Sequence, residues 1–557
     1  MPVIPHMMIK KEHKKTPNNQ LYCFIMIRLD LQSWAKQASE HPLDVLVIGG
    51  GATGLGVSVQ AALEGRRVAL VEARDFASGT SSRSTKLLHG GVRYLAQGHF
   101  HLVREALRER AIVLGLAPHL AQPLSFVVAE KRWLSWLVTM IGLKFYQWLA
   151  GRLSLGSTER LNAAALRRFM PMLPSAVAGV RYWDGQFEDA RLALSLARTA
   201  QQAGAHMRNH TQVVGLVATS SGWEVKLRDG LTQESSTLNA RCVVNATGVW
   251  VDQLRQLAQT AAGPVGSPHH ALVKPSQGVH LVVSRAKFPI NEAVLVPRTS
   301  DGRVLFALPW LGATLIGTTD TPRQDAPLEP RPMREELEFL FREAHRSLGV
   351  SLSPADVLSV WAGLRPLVDT QSSAGRTSTV SREHLIAREA PCFVTVTGGK
   401  WTTYRAMAQE VLSTLQAAGD LPVVTQPVDV RHHKLFGVMP REDQAVSLKD
   451  APGLHLMGAA AAQVHAMPGQ DVSLGLGLTE ALVRYCARYE WAVTVEDMLS
   501  RRWRVLFLDA RAAYNMAPRV AQLLQEETGL DPQLQAFMTL CPQYWLSDKN
   551  MNTETWH

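Results

Sequence analysis

The fold is decided by residues 44–54, which read Asp44-Val45-Leu46-Val47-Ile48-Gly49-Gly50-Gly51-Ala52-Thr53-Gly54. An apolar run typical of a buried strand enters a GxGxxG loop, and a helix-compatible segment follows as far as Glu64. The first glycine of such a loop permits a tight turn, the second lets the backbone approach a pyrophosphate, and the third lets the helix pack on the strand. The pyrophosphate accepts hydrogen bonds from free N–H groups at the helix N-terminus. The stretch therefore predicts a dinucleotide site with contacts at Gly49, Gly51, Ala52, Thr53 and Gly54.

Downstream segments complete the expected dinucleotide-binding unit. Arg67 to Glu72 is predicted as the next strand, and its terminal carboxylate can accept ribose hydroxyls, which favours a free 2′-OH over a 2′-phosphate. Two later apolar runs, residues 241–248 and 393–400, end in small residues. They predict two further strands of the same core.

A hydroxyl-rich segment, Ser78-Gly79-Thr80-Ser81-Ser82-Arg83-Ser84-Thr85-Lys86, bears on which dinucleotide binds. Lying so soon after Glu72, it can wrap the extended middle of FAD, and the strand end at Thr397 to Gly399 can close over a flavin. A simple NAD half-site lacks that second part. We therefore favour FAD over NAD, while a solvated turn is the alternative interpretation of the serine run.

The remaining periodicities set the domain organisation. Alternating β-branched residues, as in His280 to Val283, predict an antiparallel sheet, and helical patterns dominate after residue 420. The predicted class is α/β, with a FAD-binding Rossmann-like domain, an antiparallel-sheet substrate domain and a helical C-terminal domain. The expected boundaries are a disordered N-terminal extension (1–42), an oxidoreductase region (43–420) with its FAD core at about 43–115, 187–265 and 355–420 and its cap layer at about 116–186 and 266–354, and a helical C-terminal domain (421–557).

Composition narrows the classes of partner. The net charge of +10 over 557 residues favours contact with anions, but Lys and Arg are scattered and no nucleic-acid-binding motif occurs, so no nucleic acid partner is expected. The five cysteines are odd in number and form no CxxC pair, which indicates a reducing compartment. The adjacent pairs His269-His270 and His432-His433 direct their rings apart, so no metal site is predicted.

A longer motif makes a specific resemblance. Residues 81–95, Ser81-Ser82-Arg83-Ser84-Thr85-Lys86-Leu87-Leu88-His89-Gly90-Gly91-Val92-Arg93-Tyr94-Leu95, resemble the hallmark of FAD-dependent glycerol-3-phosphate dehydrogenases. Residues 182–191, 317–320, 363–367 and 398–405 resemble the same family in the same order. The resemblance implies oxidation of glycerol 3-phosphate to dihydroxyacetone phosphate, with electrons passed from reduced FAD to a quinone.

The resemblance also assigns site residues. It places the substrate-binding groups on Arg93, Tyr94, Arg365, Arg382 and Lys400. We expect catalysis at Arg93, Arg365 and Lys400 and, on the chemical grounds given below, at His89. Beyond the glycine loop and Glu72, the expected cofactor contacts are Thr80, Ser81, Ser82, Lys86, Leu88, His89, Gly90, Val213, Ala246, Gly248, Gly398, Gly399, Lys400, Trp401 and Thr402.

The chemistry of these residue types fits such a reaction. An alcohol becomes a ketone by losing a hydride from carbon and a proton from oxygen, and a neutral histidine such as His89 can accept that proton. The alternative for His89 is simple packing against the flavin. Arg365 and Arg382 offer bidentate donors to a phosphate, and Lys400 offers a compact charge. Residues 184–189, which contain Asp184, Glu188 and Asp189, are predicted as an Asp-Gly turn followed by a helix start without a catalytic role.

The stretch Lys131 to Arg152 predicts a helix at a membrane surface, because tryptophans and large apolar residues lie between basic ends. We therefore expect a cytoplasmic protein bound peripherally to the inner face of the cell membrane. A buried core helix or a homo-oligomer contact is the alternative for this stretch. The alternatives for function are a glycerol-3-phosphate oxidase that uses oxygen, another flavin amine or amino-acid oxidase, and an inactive flavin-binding scaffold.

Overall fold

The computed structural model describes residues 28–92, 95, 98–169, 178–262, 270–369, 384–425, 428–439 and 446–546. Three predicted substrate-binding residues, Arg93, Tyr94 and Arg382, lie outside these ranges, as do residues 1–27.

Strands and helices are numbered in chain order. The strands are β1 (Leu43–Ile48), β2 (Val68–Val71), β3 (Leu87–Leu88), β4 (Ala121–Glu130), β5 (Glu159–Asn162), β6 (Ala178–Phe187), β7 (His206–Arg208), β8 (Thr211–Thr219), β9 (Gly222–Asp229), β10 (Ser235–Asn245), β11 (Val273–Ser284), β12 (Ala293–Val296), β13 (Leu305–Trp310), β14 (Ala313–Gly317), β15 (Thr321–Pro322), β16 (Val357–Val368), β17 (His384–Ala390), β18 (Phe393–Gly398), β19 (Ser473–Gly475) and β20 (Leu478–Thr479). The helices are α1 (Leu31–Ala38), α2 (Ala52–Leu63), α3 (Phe100–Leu116), α4 (Trp133–Ala150), α5 (Ala163–Phe169), α6 (Asp189–Gln202), α7 (Val251–Ala262), α8 (Arg334–Leu348), α9 (Tyr404–Ala417), α10 (Ala461–His465), α11 (Glu480–Tyr489), α12 (Val505–Leu508), α13 (Ala510–Thr528) and α14 (Leu534–Leu540).

The first sheet is built around β1. Its strands run in the order β17-β18-β10-β1-β2-β7, and β9 and β8 extend it beside β10. The pairs from β18 to β7 are parallel, so the carboxyl ends of β1, β10 and β18 meet at one edge. Val45, Leu46 and Val47 are fully buried in succession, as expected for a parallel strand covered on both faces. Ligands bind at this edge in open α/β sheets.

The second sheet lies on the substrate side of the predicted fold. Its strands run β15-β11-β14-β13-β12-β4-β6-β3, with β16 beside β11 and β5 beside β6. Its pairs are antiparallel apart from β12 with β4, which is parallel. Together with the parallel core of the first sheet and the mostly helical region from residue 461 to residue 540, this architecture confirms the predicted fold class. The domain boundaries stay a prediction.

Buried ion pairs fix the C-terminal helical region to the first sheet. Arg501 and Arg502, in a π-helical turn at Asp497–Arg502, both pair with the fully buried carboxylate of Asp75 just after β2. Arg191 in α6 forms a second buried pair with Glu490 at 2.5 Å. Removing one partner of such a pair would leave an uncompensated buried charge. The C-terminal region is therefore an integral part of the packed molecule.

Two local expectations are wrong. Residues 31–38, predicted as part of a disordered extension, form α1, whose residues Leu31, Trp34 and Ala38 are buried in one apolar cluster with β10. The Asp184-Gly185 pair, predicted as a turn, lies inside β6, where cross-strand pairing with β3 and β4 overrides the local turn preference. The helix start after it is confirmed, since α6 begins at Asp189.

Candidate functional site

A cavity of about 580 Å³ runs along the carboxyl ends of β1, β10 and β18. One part is bordered by the glycine loop and Glu72, and another part by His89, Arg365 and Lys400. Its volume is that of an ordinary small-molecule or cofactor site. The cavity thus joins the predicted dinucleotide site and two of the predicted substrate-binding residues, Arg365 and Lys400, in one continuous space.

The glycine loop has the close approaches that its sequence requires. Gly49 has a φ of +110°, and a Cβ at this position would lie 2.5 Å from the carbonyl oxygen of Ala246. A Cβ on Gly54 would lie 1.9 Å from the carbonyl oxygen of Gly49, so a side chain there would force α2 away from β1. The loop therefore holds the N-terminus of α2 against the cavity, as a pyrophosphate site requires.

Polar contacts brace the loop from both sides. The Glu72 carboxylate accepts the Gly50 N–H at 2.7 Å and the Arg74 N–H at 3.0 Å. Ser81 Oγ accepts the Ala52 N–H at 2.9 Å, which ties the hydroxyl-rich segment to the first turn of α2. Desolvation raises the pKa of Glu72. The residues present fit FAD, because an acidic ribose acceptor, a glycine-rich backbone cradle and a third strand end line one elongated cavity.

Most of the predicted cofactor contacts line this cavity. They are Gly49, Gly51, Ala52, Thr53, Glu72, Thr80, Ser81, His89, Val213, Ala246, Gly248, Gly398, Gly399, Lys400, Trp401 and Thr402. Five others do not line it, namely Gly54, Ser82, Lys86, Leu88 and Gly90. Each of these five is buried.

Lys86 shows why such a residue faces away. Its fully buried ammonium donates to Asp189 at 2.6 Å and to the Ser82 carbonyl at 2.9 Å. It also lies 4.9 Å from the ring centre of Trp361. Burial lowers the pKa of Lys86 to about 8, although Asp189 opposes this shift. The lysine is thus held by protein groups.

Arg365 projects from β16 toward the other part of the cavity. Its guanidinium donates to Asp320 at 3.2 Å, to Thr318 Oγ1 at 3.1 Å and to the Thr319 carbonyl at 3.0 Å. About a quarter of its side chain (26%) is exposed. These contacts fix the plane of the guanidinium at the wall of the cavity.

His280 is a cavity residue that the sequence did not single out. It lines the same space as Arg365, its Nε2 lies 3.0 Å from Thr85 Oγ1, and its ring stacks on Trp361 at 4.2 Å. Burial, and then the charges of Lys86 and Arg365, lower the pKa of His280 well below its usual range. In the sequence, the alternating pattern around His280 predicted only that this residue belongs to a strand. Its place in the cavity depends on pairing with the distant strand β16.

Three titratable groups form a cluster that resembles a metal site. Asp75, His210 and Asp497 bring one ligand atom each within 4.8 Å of one another. Arg501 pairs with both carboxylates, Arg502 pairs with Asp75, and His210 Nε2 contacts Asp497 at 2.9 Å. The negative charges of the two carboxylates are balanced by these guanidinium groups, so the cluster is an ion-pair network.

A second surface concerns α4. The helix turns Leu143, Tyr146 and Ala150 toward the protein and exposes Trp133 (64%) and Trp148 (70%). Beside Trp148 lies a groove of about 1190 Å³ whose lining includes Arg104, Arg108 and Arg152. None of the helices in the described part of the chain is long and apolar enough to span a bilayer.

Comparisons with known proteins give consistent matches. A family model described as FAD dependent oxidoreductase matches residues 44–409, and one described as the C-terminal domain of alpha-glycerophosphate oxidase matches residues 454–535. The mitochondrial glycerol-3-phosphate dehydrogenase of Arabidopsis thaliana is 37% identical over 544 residues, which cover 89% of this chain and 85% of that protein. The mitochondrial glycerol-3-phosphate dehydrogenase of Homo sapiens is 36% identical, covering 88% of this chain and 71% of that protein.

Solved structures agree with these matches. The glycerol-3-phosphate dehydrogenase of Bacillus halodurans complexed with FAD superposes with a TM-score of 0.72 at 28% identity, covering 92% of this chain and 96% of that one. The L-alpha-glycerophosphate oxidase of Mycoplasma pneumoniae, with FAD bound, shares the fold with a TM-score of 0.55 at 19% identity, covering 71% of this chain and 98% of that one.

Proposed function

The chain belongs to the family of FAD-dependent glycerol-3-phosphate dehydrogenases, and from this membership we propose that it oxidises sn-glycerol 3-phosphate to dihydroxyacetone phosphate with FAD as its cofactor. The observation that carries the proposal is the single cavity that joins the glycine loop to His89, Arg365 and Lys400. A dinucleotide site and a cluster of cations in one space suit a redox reaction on a phosphorylated alcohol.

Each group has a chemical task in this proposal. The glycine loop, Glu72 and the strand ends would hold FAD, which when bound would supply the hydride acceptor for oxidation of the alcohol. A ring nitrogen of His89 takes the hydroxyl proton as the ketone forms. Arg365, oriented by Asp320 and Thr318, holds the phosphate through charge-assisted hydrogen bonds. Lys400 adds a second positive charge and steadies negative charge on the substrate.

Turnover with an artificial electron acceptor tests the substrate. We expect activity with sn-glycerol 3-phosphate and a much lower kcat/KM with glycerol, because glycerol lacks the phosphate that the cations bind. Equal kcat/KM values for the two alcohols would contradict a phosphate-binding role for this cluster.

For the electron acceptor, we propose a membrane quinone rather than oxygen. A lipid-soluble acceptor requires the enzyme to lie at a membrane, and the exposed apolar face of α4 supports this. Reoxidation of the reduced protein in a stopped-flow instrument separates the two acceptors. We expect faster reoxidation by a soluble quinone analogue, whereas faster reoxidation by oxygen would favour the oxidase alternative.

The face of α4 is the proposed contact with the membrane, on the cytoplasmic side. Trp148 stacks with Phe145 at 5.4 Å, and Phe145 contacts the exposed Phe100 edge-on at 5.4 Å, which makes a continuous aromatic surface. Arginines of the adjacent groove supply positive charge for anionic headgroups. An exposed apolar surface of this kind is typical of a contact with lipid or with another protein.

A further inference from the structure

The turn that carries His89 is attached to α4 by a buried hydrogen bond. His89 and Gly90 follow β3 directly, and the Gly90 N–H donates to Tyr146 Oη at 2.8 Å. Tyr146 lies on the inner face of α4 and is 3% exposed. A side chain of α4 therefore touches the backbone next to the proposed proton acceptor.

The Tyr146 hydroxyl is oriented by a second contact. It donates to Asp184 Oδ2 at 2.8 Å, and the other oxygen of Asp184 accepts from Arg110 at 2.9 Å. Burial, and then the charge of Asp184, raise the pKa of Tyr146 well above its usual range, so the phenol stays protonated. Its one proton is committed to Asp184, which leaves its lone pairs for the Gly90 N–H.

Little space remains for the turn to relax. A Cβ at Gly90 would lie 2.5 Å from Tyr146 Oη and 2.8 Å from the Leu107 side chain. On the other side of His89, Leu88 pairs with Gly185 in β6, next to Asp184. The backbone at His89 is thus held by β6 before it and by Tyr146 after it.

We propose that Tyr146 is a positioning residue, which fixes His89 at the cavity by accepting the Gly90 N–H. The proposal rests on the proposed function, because it takes His89 as the group that accepts the substrate proton. A displacement of about 1 Å at a reacting group can lower a rate by about a hundredfold. Loss of one such anchor therefore changes turnover more than it changes binding of the substrate phosphate.

The alternative is that Tyr146 only fills space in the core. Tyr146→Phe keeps the ring and removes the hydroxyl, so it separates these roles. Tyr182→Phe is a matched control, since Tyr182 is also 3% exposed and its ring lies 6.3 Å from that of Tyr146. The Tyr182 hydroxyl makes no hydrogen bond within the described ranges.

The test measures FAD content, kcat, KM for sn-glycerol 3-phosphate and the pH profile of kcat/KM for wild type and both variants. For Tyr146→Phe we expect normal FAD content, a KM within about twofold, a kcat lowered by about tenfold or more, and a displaced acid limb of the pH profile. Tyr182→Phe should match wild type in all four. Faster hydrogen exchange at the Gly90 amide in Tyr146→Phe alone would accompany these changes.

Three results would overturn the proposal. They are wild-type kcat and pH profile in Tyr146→Phe, an equal loss in Tyr182→Phe, and loss of folding or FAD in Tyr146→Phe, which would assign the hydroxyl to stability. Failure of the proposed function is a separate result, because wild type itself would then not oxidise sn-glycerol 3-phosphate.

Discussion

Glu72 lines the cavity and accepts a hydrogen bond from the glycine loop. Its replacement should therefore weaken binding of FAD more than binding of the substrate. Glu72→Ala removes the acceptor for ribose hydroxyls and also frees the Gly50 and Arg74 N–H groups. We predict a lower flavin-to-protein ratio after purification, measured by absorbance, and a lower melting temperature. For Glu72→Gln we expect a flavin content and a melting temperature between those of wild type and Glu72→Ala, because the amide oxygen of Gln still accepts one N–H. The exposed Glu40→Ala is the control, and full flavin content in Glu72→Ala would refute the assignment.

Arg365 should contribute to binding of the phosphate rather than of the flavin. Charge-assisted hydrogen bonds contribute about 1.5–3 kcal/mol each, so Arg365→Ala should raise KM for sn-glycerol 3-phosphate by roughly tenfold or more. The FAD content should stay at the wild-type level. Arg365→Lys should recover part of the loss, because it restores the charge without the planar fork. Arg334→Ala, on an exposed helix face, serves as the control, and an unchanged KM in Arg365→Ala would make Arg365 a structural residue.

At the scale of elements, α4 carries the membrane prediction. The large exposed side chains of this helix should enter the headgroup region, where a glutamate is unfavourable. We predict that wild type co-sediments with anionic liposomes at low salt and less so at high salt, and that Trp133→Glu with Trp148→Glu abolishes the binding. Val217→Glu is the control, because Val217 is 40% exposed and lies in β8 of the first sheet, outside the groove beside Trp148.

The liposome experiment has two contrary outcomes. Wild type could stay in the supernatant, or the double tryptophan variant could pellet as well as wild type. Either outcome would favour the alternative that the exposed face of α4 is a contact between copies of this chain. A measurement of the oligomeric state would test that alternative.

Elements with local signals could be predicted from the sequence, and elements defined by distant pairing could not. The glycine loop, α2 and the apolar helix at residues 133–150 have patterns contained within one short segment. His280 reaches the cavity through β11 and β16, and Tyr146 reaches Gly90 through the packing of α4 on β6. No spacing within a single segment encodes such contacts. The prediction of a turn at Asp184-Gly185 was wrong for the same reason, because this pair is held in β6 by strands that are distant in sequence.

At the scale of the whole molecule, the junction between α3 and the C-terminal region should make stability depend on pH. His119 is 6% exposed, and a Cβ at Gly437 would lie 3.0 Å from its Nε2. Burial, and then the charge of Arg191, lower the pKa of His119 from 6.5 to about 3. The folded ring thus stays neutral where an unfolded one takes up a proton, so stability is present above pH 6.5 and is lost as pH falls below it.

The free energy of unfolding should fall by about 1.4 kcal/mol per pH unit below the pKa of His119 in the unfolded chain. We predict a falling melting temperature of wild type between about pH 6.5 and 5, and a shallower slope for His119→Asn, whose side chain does not titrate. The exposed His432→Asn should keep the wild-type slope. Parallel slopes in wild type and His119→Asn would show that other groups control the acid sensitivity.

We propose that FAD and sn-glycerol 3-phosphate bind in one cavity, where the alcohol is oxidised. The most direct measurement is the visible spectrum of the purified protein without oxygen, before and after addition of sn-glycerol 3-phosphate. We expect a yellow protein whose flavin absorbance is bleached by sn-glycerol 3-phosphate, with one dihydroxyacetone phosphate formed per flavin, and no bleaching by glycerol or glycine. A colourless protein, or a flavin that glycine bleaches and sn-glycerol 3-phosphate does not, would contradict it.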